Sequence, residues 1–323
     1  MKKPIGIIAG EPNSISSEII FKSWRFRKKY NHRPFLIIGN INLLNKQKKK
    51  LNYKFGIKKI DNNFKLKELN KNKIPVYNVK YNQKKIFQKI SNKSNKYIFE
   101  CFNVALKLIK DKKISGLINC PISKETLFKN ENKGITEYLS KKSAAEGKEV
   151  MRLFNRKLSV SPLTTHIPLS QISKKINKSK IGSKVERINN FYKKIFKKKP
   201  KFAILGLNPH NFNAQKKSEE KEIIVPAIKI IKKKGIKVNG PISPDTSFLI
   251  TNKIKFDVIF GMYHDQVLTT FKTLYNYDAI NITLGLPFIR ISPDHGTAKN
   301  IVGKNIANPK SLIESIKFFN YIK

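Results

Sequence analysis

The sequence predicts an α/β protein built on mostly parallel sheets. Strand and helix patterns alternate along the chain, which is typical of strands joined by crossover helices. The strands read as continuous apolar, β-branched runs, as in 4–9, 34–39 and 257–263, because strands of a parallel sheet are buried on both faces. Polar residues directly follow several runs, and ligands of open α/β sheets gather beyond the carboxyl ends of strands. We therefore expect a ligand site at those ends.

The first half contains two clear strand–helix pairs. Ser16 or Ser17 could cap the first helix, with Glu18 favourable in its first turn. The lysine- and asparagine-rich stretch 51–95 shows only the short apolar segment IPVYNV and gives no firm element. The predicted elements of this half are strands at 4–9, 34–39 and 115–120 and helices at 17–29, 41–50 and 96–109.

The second half continues the alternation. The segments EVMRLFN and KLSVSPLTTHIPL predict an antiparallel pair of strands with a turn at Asn155-Arg156. The acidic start and lysine-rich end of the helix at 219–234 suit the helix dipole. The other predicted elements are strands at 201–210, 257–263, 279–285 and 287–292, a helix at 177–198 and a final helix after Pro309.

Composition limits the class of protein. No apolar run approaches the roughly 18 residues that a membrane span needs. The N-terminal apolar run ends in Gly10-Glu11-Pro12 and predicts a buried strand, not a signal peptide. Two cysteines, Cys101 and Cys120, give no disulfide framework, so we expect a reduced, cytoplasmic setting.

The net charge of +46 suggests a polyanion partner at first sight. However, lysine, asparagine and isoleucine are all abundant, as codon bias in an A+T-rich genome produces. The basic runs fall at predicted helix ends and loops, without the interleaved aromatic residues of a base-stacking surface. We interpret them as solvated surface and expect no nucleic acid partner. A non-catalytic polyanion-binding protein is kept as the alternative from another class.

Three of the five histidines each follow an apolar strand directly: His166, His210 and His264. Parallel strands place their ends side by side, and three neutral imidazoles with one open position suit Zn²⁺ or a similar ion. Their spacing matches no compact zinc motif. Asp245 and Asp265 could orient a ligand histidine through its second ring nitrogen.

Further polar residues lie close by in the sequence. Lys272 and Arg290 could hold a carboxylate or phosphate, with the arginine acting as a bidentate fork. Asn281 alternates with apolar residues on its strand and is expected to face the same site. In a chain this rich in lysine, simple solvent exposure is a strong alternative for Lys272.

These motifs together resemble the 4-hydroxythreonine-4-phosphate dehydrogenase family of vitamin B6 biosynthesis. The matching segments occur in family order over about two-thirds of the chain, and the last is highly specific. They are NCPISKETL (119–127), TTHIPLS, GLNPH, GPISPDTSF (240–248), GMYHDQVLTTFK and NITLGLPFIRISPDHGTAKNIVGKNIANP.

The resemblance implies the isocitrate/isopropylmalate dehydrogenase-like fold, with two α/β/α domains and an active site in the interdomain cleft. It implies a first domain of 1–130 plus 285–323, with the nucleotide-binding loop, and a second of 131–284, with the metal ligands and the dimer interface. A homodimer with each active site at the subunit interface is also implied. The absence of a GxGxxG motif agrees with this fold, which does not use that fingerprint.

The resemblance also implies roles for individual residues. The metal, one divalent ion (zinc, magnesium or cobalt), would be held by His166, His210 and His264. Substrate would contact Thr136, Lys272, Asn281 and Arg290. The cofactor, NAD or NADP, would lie near His295, Gly296, Thr297, Ala298 and Asn308. No residue is identified as the catalytic base.

The implied reaction is that of an oxidoreductase acting on a CH–OH group. It is the NAD(P)-dependent oxidation of 4-phosphohydroxy-L-threonine to 2-amino-3-oxo-4-(phosphooxy)butanoate, which decarboxylates to 3-amino-2-oxopropyl phosphate. The alternative is the same metal-dependent chemistry on a related phosphorylated hydroxy acid, 4-phospho-threonate or 4-phospho-erythronate.

The chain departs from the family pattern at three places. The first loop (10–18), usually like GDPAGIGPE, has Ser14 and Ser16 in place of glycines, which predicts the loss of easy positive-φ conformations. The histidine of the family's Gly-His-Thr-Glu is Ile135, which cannot donate a hydrogen bond to substrate. The glycine-rich run after Asn-Pro-His becomes NFNAQKK (211–217).

Overall fold

A computed structural model describes residues 2–30, 33–69, 72–128, 134–212 and 217–322. The chain forms two compact units, Met1–Ala144 with Leu286–Lys323, and Ala145–Gly285. The predicted limit between residues 130 and 131 lies outside the described residues. The predicted domain limits therefore stay predictions.

In the described residues of the first unit, parallel strands lie in the order β3-β4-β2-β1-β5-β12. The central strands β1, β2 and β5 are buried along their whole length, which explains their unbroken apolar sequence. The strands are β1 (Ile5–Ile8), β2 (Phe35–Gly39), β3 (Gly56–Ile60), β4 (Lys73–Asn78), β5 (Gly116–Asn119) and β12 (Ile289–Pro293).

The described residues of this unit form α-helices on both sides of the strands in the chain order. The amphipathic helix α4 packs Cys101, Phe102 and Ala105 against residues of β1, β2 and β5 in the main core cluster. The helices are α1 (Ser16–Phe26), α2 (Ile41–Lys50), α3 (Leu66–Leu69), α4 (Asn95–Lys110), α5 (Lys124–Phe128), α6 (Ile135–Lys142) and α12 (Lys310–Phe318).

The second unit has strands in the order β11-β6-β7-β10-β8-β9. β6 runs antiparallel to both of its neighbours, and the pairs β7–β10, β10–β8 and β8–β9 are parallel. The elements are β6 (Val150–Phe154), β7 (Ser159–Pro162), α7 (Ile172–Lys175), α8 (Lys178–Phe196), β8 (Phe202–Leu205), α9 (Val225–Lys233), β9 (Val238–Ile242), α10 (Ser247–Ile254), β10 (Val258–Gly261), α11 (His264–Tyr275) and β11 (Ile280–Leu284).

The predicted fold class, α/β with mostly parallel strands, is confirmed, as is the antiparallel pair β6–β7. The stretch 51–95 holds β3, α3 and β4, which the sequence did not reveal. The prediction that Ser16 or Ser17 caps α1 is wrong. The N-cap is Ile15, and the Ser16 N–H instead donates to Ser14 Oγ at 3.1 Å. Across the described residues, no helix has the length and apolarity of a membrane span.

Candidate active site

Backbone and side-chain hydrogen bonds join the carboxyl ends of β7, β10 and β8. Thr164 donates from its backbone N–H and its Oγ1 to Met262 O, at 3.2 and 2.8 Å. Gln266 accepts from Met262 N at 2.7 Å and donates to Gly206 O at 2.8 Å. The three strands that precede the predicted metal ligands therefore end in one hydrogen-bonded framework.

Two of the three predicted ligands lie together. The rings of His166 and His264 have centroids 6.0 Å apart. His264 begins α11, and its Nδ1 lies 2.6 Å from Asp265 Oδ1. A carboxylate beside one ring nitrogen fixes the ring orientation and the tautomer of a metal-binding histidine.

The third predicted ligand, His210, follows β8 and lies near Asp245, with 3.9 Å between Nδ1 and Oδ2. Its side chain is 85% exposed. Hydrogen bonds from Ser243 and the backbone of Thr246, together with His210, lower the pKa of Asp245, Ser243 having the largest effect. Over the described ranges, no three or more His, Cys, Asp or Glu side chains are arranged to hold a metal.

The segment that carries His210 is held by a buried carboxylate. Glu220 Oε1 accepts from the backbone N–H groups of Leu207 and Asn208, at 2.7 and 2.8 Å. Glu220 Oε2 accepts from Asn208 Nδ2 at 2.9 Å. Glu220 is 1% exposed and lies in a π-helical turn that leads into α9. This carboxylate therefore fixes the residues directly before Pro209-His210.

Three consecutive residues after β8 adopt left-handed backbone conformations. His210, Asn211 and Phe212 have φ of 51°, 60° and 38°. Asn211 and Phe212 belong to the third departure from the family pattern, the run that replaces glycines after Asn-Pro-His, and glycines would adopt such angles without steric cost. For a residue with a Cβ, the left-handed conformation costs roughly 1–2 kcal/mol. Residues 213–216 of this segment lie outside the described ranges.

The predicted substrate residues of the second unit differ in environment. Lys272 is exposed on α11, and eight residues of helix place it about 12 Å along the axis from His264. Asn281 lies on β11, and its Oδ1 is buried without a hydrogen-bond partner among the residues that the structure describes. A buried acceptor without a donor is rare in proteins, and a donor group of a bound substrate is one way to satisfy it.

The predicted substrate residues of the first unit are in contact. Arg290 donates from Nε to Asn119 Oδ1 at 2.7 Å and from NH1 to Thr136 Oγ1 at 3.3 Å. Burial lowers the pKa of Arg290 to about 10, and the nearby Glu137 carboxylate acts in the opposite direction. The guanidinium is 4% exposed and is still charged at neutral pH.

Ile135, the second departure, is a core residue here. It is 3% exposed and belongs to the apolar cluster around α4. It begins α6, where Glu137 accepts from Gly134 N at 2.8 Å. Thr136, the next residue, still reaches Arg290. The isoleucine therefore stabilises the start of α6 by apolar packing at a position where the family has a polar ring.

The serines of the first loop replace glycine flexibility with hydrogen bonds. Ser14 Oγ donates to Glu11 O at 2.7 Å and lies 2.8 Å from Ser16 Oγ, which bonds to Pro121 O at 3.3 Å. Only Gly10 in this loop has a positive φ, of 75°. A Cβ at Gly10 would lie 2.5 Å from Pro121 O. The predicted loss of positive-φ conformations at Ser14 and Ser16 has no effect, because neither residue needs them.

Glu11 is a buried carboxyl group beside this loop. It is 1% exposed and accepts from Ser94 Oγ at 2.9 Å and from Asn13 N at 3.2 Å. Burial raises the pKa of Glu11, and the hydrogen bonds from Ser94 and Asn13 partly offset this. With Gln47 and Tyr97, Glu11 lines a small pocket at the end of β1.

The segment predicted to bind nucleotide, the nucleotide loop (295–308), packs on the first loop. Ile15 N donates to Thr297 O at 3.3 Å. Burial lowers the pKa of His295, so its ring is neutral at physiological pH. Gly296 is exposed, with open space around its Cβ position, and Ala298 has a φ of 48°. Asn308 Oδ1 accepts from the N–H of Lys310, the first residue of α12, at 2.9 Å.

The structure thus brings together His166 with His264, Thr136 with Arg290, and the nucleotide loop with α1. His210 lies beside Asp245, with 3.9 Å between Nδ1 and Oδ2. The sequence did not identify three residues that hold parts of the site in place by hydrogen bonds. They are Asn119, Glu220 and Gln266. The motifs NCPIS and HDQ contain Asn119 and Gln266, but nothing in the sequence distinguishes Glu220 from its acidic neighbours.

Comparison with known proteins adds independent information. A family model described as "Pyridoxal phosphate biosynthetic protein PdxA" matches residues 31–319. A 4-hydroxythreonine-4-phosphate dehydrogenase from Sulfurihydrogenibium sp. is 40% identical over 99% of this chain and 98% of its own length. The chain belongs to the PdxA family. A relative from Oceanobacillus iheyensis, whose name gives D-threonate 4-phosphate dehydrogenase as a candidate activity, is 33% identical over 98% of this chain and 96% of its own.

Solved structures agree with this assignment. The crystal structure of 4-hydroxythreonine-4-phosphate dehydrogenase from Klebsiella pneumoniae has a TM-score of 0.84 and 29% identity, covering 98% of this chain and 96% of that one. An isocitrate dehydrogenase from Methylococcus capsulatus has a TM-score of 0.50 at 10% identity, covering 100% and 86%. The PdxA-family chain therefore has the predicted isocitrate dehydrogenase-like fold.

Proposed function

We propose that this protein oxidises 4-phosphohydroxy-L-threonine at its C3 hydroxyl, with NAD or NADP as hydride acceptor, in vitamin B6 biosynthesis. The observation that carries this proposal is the 40% identity, over 99% of the chain, to a relative named for that activity. The product, 2-amino-3-oxo-4-(phosphooxy)butanoate, is a β-keto acid. It loses CO₂ to give 3-amino-2-oxopropyl phosphate, because the ketone accepts the electron pair of the broken bond.

His166, His210 and His264 are the proposed metal ligands, and zinc, magnesium or cobalt is the proposed ion. The adjacent imidazoles of His166 and His264 fit two ligand positions, and neutral imidazole suits zinc and cobalt better than magnesium. Asp265 would keep a proton on Nδ1 of His264 and leave Nε2 as the atom that coordinates the metal. A divalent ion bound there would lower the pKa of the substrate hydroxyl.

The proposed substrate residues provide complementary charge and hydrogen bonds. Arg290, held by Asn119 and Thr136, is a rigid cation for the phosphate or carboxylate. Lys272 adds a second cation. The Oδ1 of Asn281, which has no hydrogen-bond partner among the described residues, can accept from a hydroxyl or ammonium group. The nucleotide loop would hold the dinucleotide, which accepts the hydride through its nicotinamide ring.

The related substrate D-threonate 4-phosphate is the second candidate, because the Oceanobacillus iheyensis relative carries that name. It differs from 4-phosphohydroxy-L-threonine in having a hydroxyl in place of the C2 amine. The apolar packing of Ile135, where the family has a histidine, also favours this possibility, since a polar partner is lost next to Thr136. The same oxidation and decarboxylation would give dihydroxyacetone phosphate.

The proposed assembly is a cytoplasmic homodimer. Large apolar side chains are exposed on the second unit, including Leu169 at 71%, Leu249 at 67% and Leu274 at 56%. Exposed apolar side chains of this size are typical of interfaces when they form a contiguous patch. Light scattering coupled to size-exclusion chromatography would measure the mass directly.

Metal-dependent turnover tests the proposed chemistry. Metal-stripped protein should reduce NAD or NADP in the presence of 4-phosphohydroxy-L-threonine only after a divalent ion is added. His166→Ala and His264→Ala should each lose at least a hundredfold in kcat/KM and bind the ion more weakly in direct titration. Full activity in the stripped protein, or variants that bind metal normally, would contradict the proposed site.

A further inference from the structure

Two charged side chains of α1 hold the end of the nucleotide loop. Glu18 Oε1 accepts from the backbone N–H of Ala307 at 2.5 Å. Lys22 Nζ donates to Asn305 O at 2.9 Å and to Ala307 O at 2.8 Å. The two side chains also bond to each other, with 2.9 Å between Nζ and Oε1. We call Glu18 and Lys22 the α1 clamp.

The α1 clamp is more than a surface ion pair of helix neighbours. The side chain of Glu18 is 2% exposed and that of Lys22 is 19% exposed. An ammonium group has three donors, and Lys22 directs them at one carboxylate and two carbonyl oxygens. Removing the ammonium would leave the Asn305 and Ala307 carbonyls without this donor. It would also leave the buried Glu18 carboxylate without its counter-ion, which is costly.

Neighbouring contacts restrain the same segment from other directions. Tyr53 Oη donates to Asn305 Oδ1 at 2.9 Å, and Ile15 N donates to Thr297 O. Ala307 is 2% exposed, whereas Ile306 between the two clamped carbonyls is 65% exposed. The α1 clamp therefore fixes the backbone at residues 305 and 307, just before Asn308. The side chain at 306 is left directed to solvent.

We propose that Glu18 and Lys22 are positioning residues for the dinucleotide. They set the backbone conformation of 305–308 before the cofactor binds, so that less ordering entropy is lost on binding. This inference rests on the proposed function, which assigns the nucleotide loop to NAD or NADP. It predicts that losing the clamp weakens dinucleotide affinity and leaves substrate affinity nearly unchanged.

The test uses Lys22→Met, Lys22→Arg and Glu18→Gln in the full-length protein. Lys58→Met is the matched control, because Lys58 forms an ion pair with Glu68 in the same unit, at 2.8 Å. Hydrogen exchange of the 303–308 amides is measured without ligand, and dinucleotide Kd is measured by calorimetry. Steady-state kinetics then give KM for dinucleotide and for substrate.

Lys22→Met should accelerate exchange at Ala307 at least tenfold and raise Kd and KM for dinucleotide at least tenfold, with substrate KM changed less than twofold. Lys22→Arg, which keeps a charged donor, should recover most of the affinity, and Lys58→Met should match the wild type. If Lys22→Met does not fold, Glu18→Gln should show the same pattern more weakly, since its amide oxygen can still accept from Ala307.

Unchanged exchange at 303–308, or an equal rise in both KM values, would overturn the inference. A wild-type protein that binds neither dinucleotide would instead contradict the proposed function and the cofactor role of the clamp together. In that case the exchange measurement alone would still show whether the clamp sets the conformation of the loop. The two failures are therefore distinguishable.

Discussion

At the scale of single residues, the departures from the family pattern have different structural consequences. Ser14 and Ser16 stand at glycine positions, but their backbones need no positive φ and their hydroxyl groups form new hydrogen bonds. Phe212, in contrast, follows His210 and Asn211 in a strained left-handed run. The substitutions were visible in the sequence, but their φ angles were not, because φ at a loop residue depends on tertiary contacts.

The strained backbone at Phe212 predicts that glycine is more stable than alanine there, the reverse of their order in a helix. Glycine adopts positive φ freely and alanine does not, so Phe212→Gly should be more stable than Phe212→Ala by about 1 kcal/mol. At the exposed helical residue Lys229 of α9, the order should reverse, with alanine about 1 kcal/mol better than glycine. Urea unfolding of the four variants measures both differences. Alanine more stable than glycine at both positions would contradict the strained conformation.

The buried Glu11 predicts a pH dependence of stability. Burial raises its pKa in the folded protein, so the folded state binds the proton more tightly than the unfolded state does. Its contribution to stability is therefore fully present below the unfolded pKa of about 4.3, and is lost as pH rises through the raised folded value.

Glu11→Gln keeps an acceptor for Asn13 and removes this titration. The Tm of the variant relative to the wild type should therefore increase from about pH 4 to neutral pH. Thermal unfolding across a pH series measures the difference, and the exposed Glu222→Gln is the control for the loss of a surface carboxylate. If the Tm difference between variant and wild type stays constant, or falls as pH rises, ionised Glu11 does not destabilise the folded protein.

At the scale of elements, the buried strands were predictable and the short, exposed or irregular elements were not. β1, β2 and β10 are buried on both faces, so apolar runs reveal them. β3 is half-exposed with the sequence GIKKI, and α3 has four residues, so neither gives a strong pattern. The strand ends near His166, His210 and His264 followed from the same reasoning, but the distances between the rings depend on loops.

Glu220 shows what an element contributes to the site. Glu220→Ala should destabilise the protein by roughly 2–5 kcal/mol, because the backbone N–H groups of Leu207 and Asn208 lose their acceptor. Glu220→Gln should cost less, since one oxygen remains. The exposed Glu222→Ala in the same turn should change stability by less than about 0.5 kcal/mol. Denaturant unfolding measures all three, and equal effects of the Glu220→Ala and Glu222→Ala variants would contradict the proposed anchor.

At the scale of the whole molecule, the fold class and the family were both accessible from the sequence. Long motifs such as HGTAKNIVGKNIANP specify the family even where single residues have changed. The net charge of +46 also follows from the sequence. Which charged side chains lie close together could be seen only in the folded structure. Eight exposed lysines lie before β8 and β9, whose first residues, Phe202 and Val238, are paired. They are Lys197, Lys198, Lys199, Lys201, Lys232, Lys233, Lys234 and Lys237.

This crowding of like charges predicts that salt stabilises the protein. Ions shorten the range of charge repulsion to about 10 Å at 0.1 M, so Tm should rise by several degrees between about 20 and 200 mM sodium chloride. The combined variant Lys199→Gln with Lys233→Gln should be more stable than the wild type at low salt and similar at high salt. A Tm that is independent of salt would show that repulsion does not limit stability.

The proposed substrate is an amino acid, 4-phosphohydroxy-L-threonine, and not its hydroxy-acid analogue. An equimolar mixture of 4-phosphohydroxy-L-threonine and D-threonate 4-phosphate, with limiting NAD and added divalent metal, tests it in one reaction. Mass spectrometry then identifies the products. We expect 3-amino-2-oxopropyl phosphate in large excess, with one NADH formed per molecule. Dihydroxyacetone phosphate as the main product would contradict it.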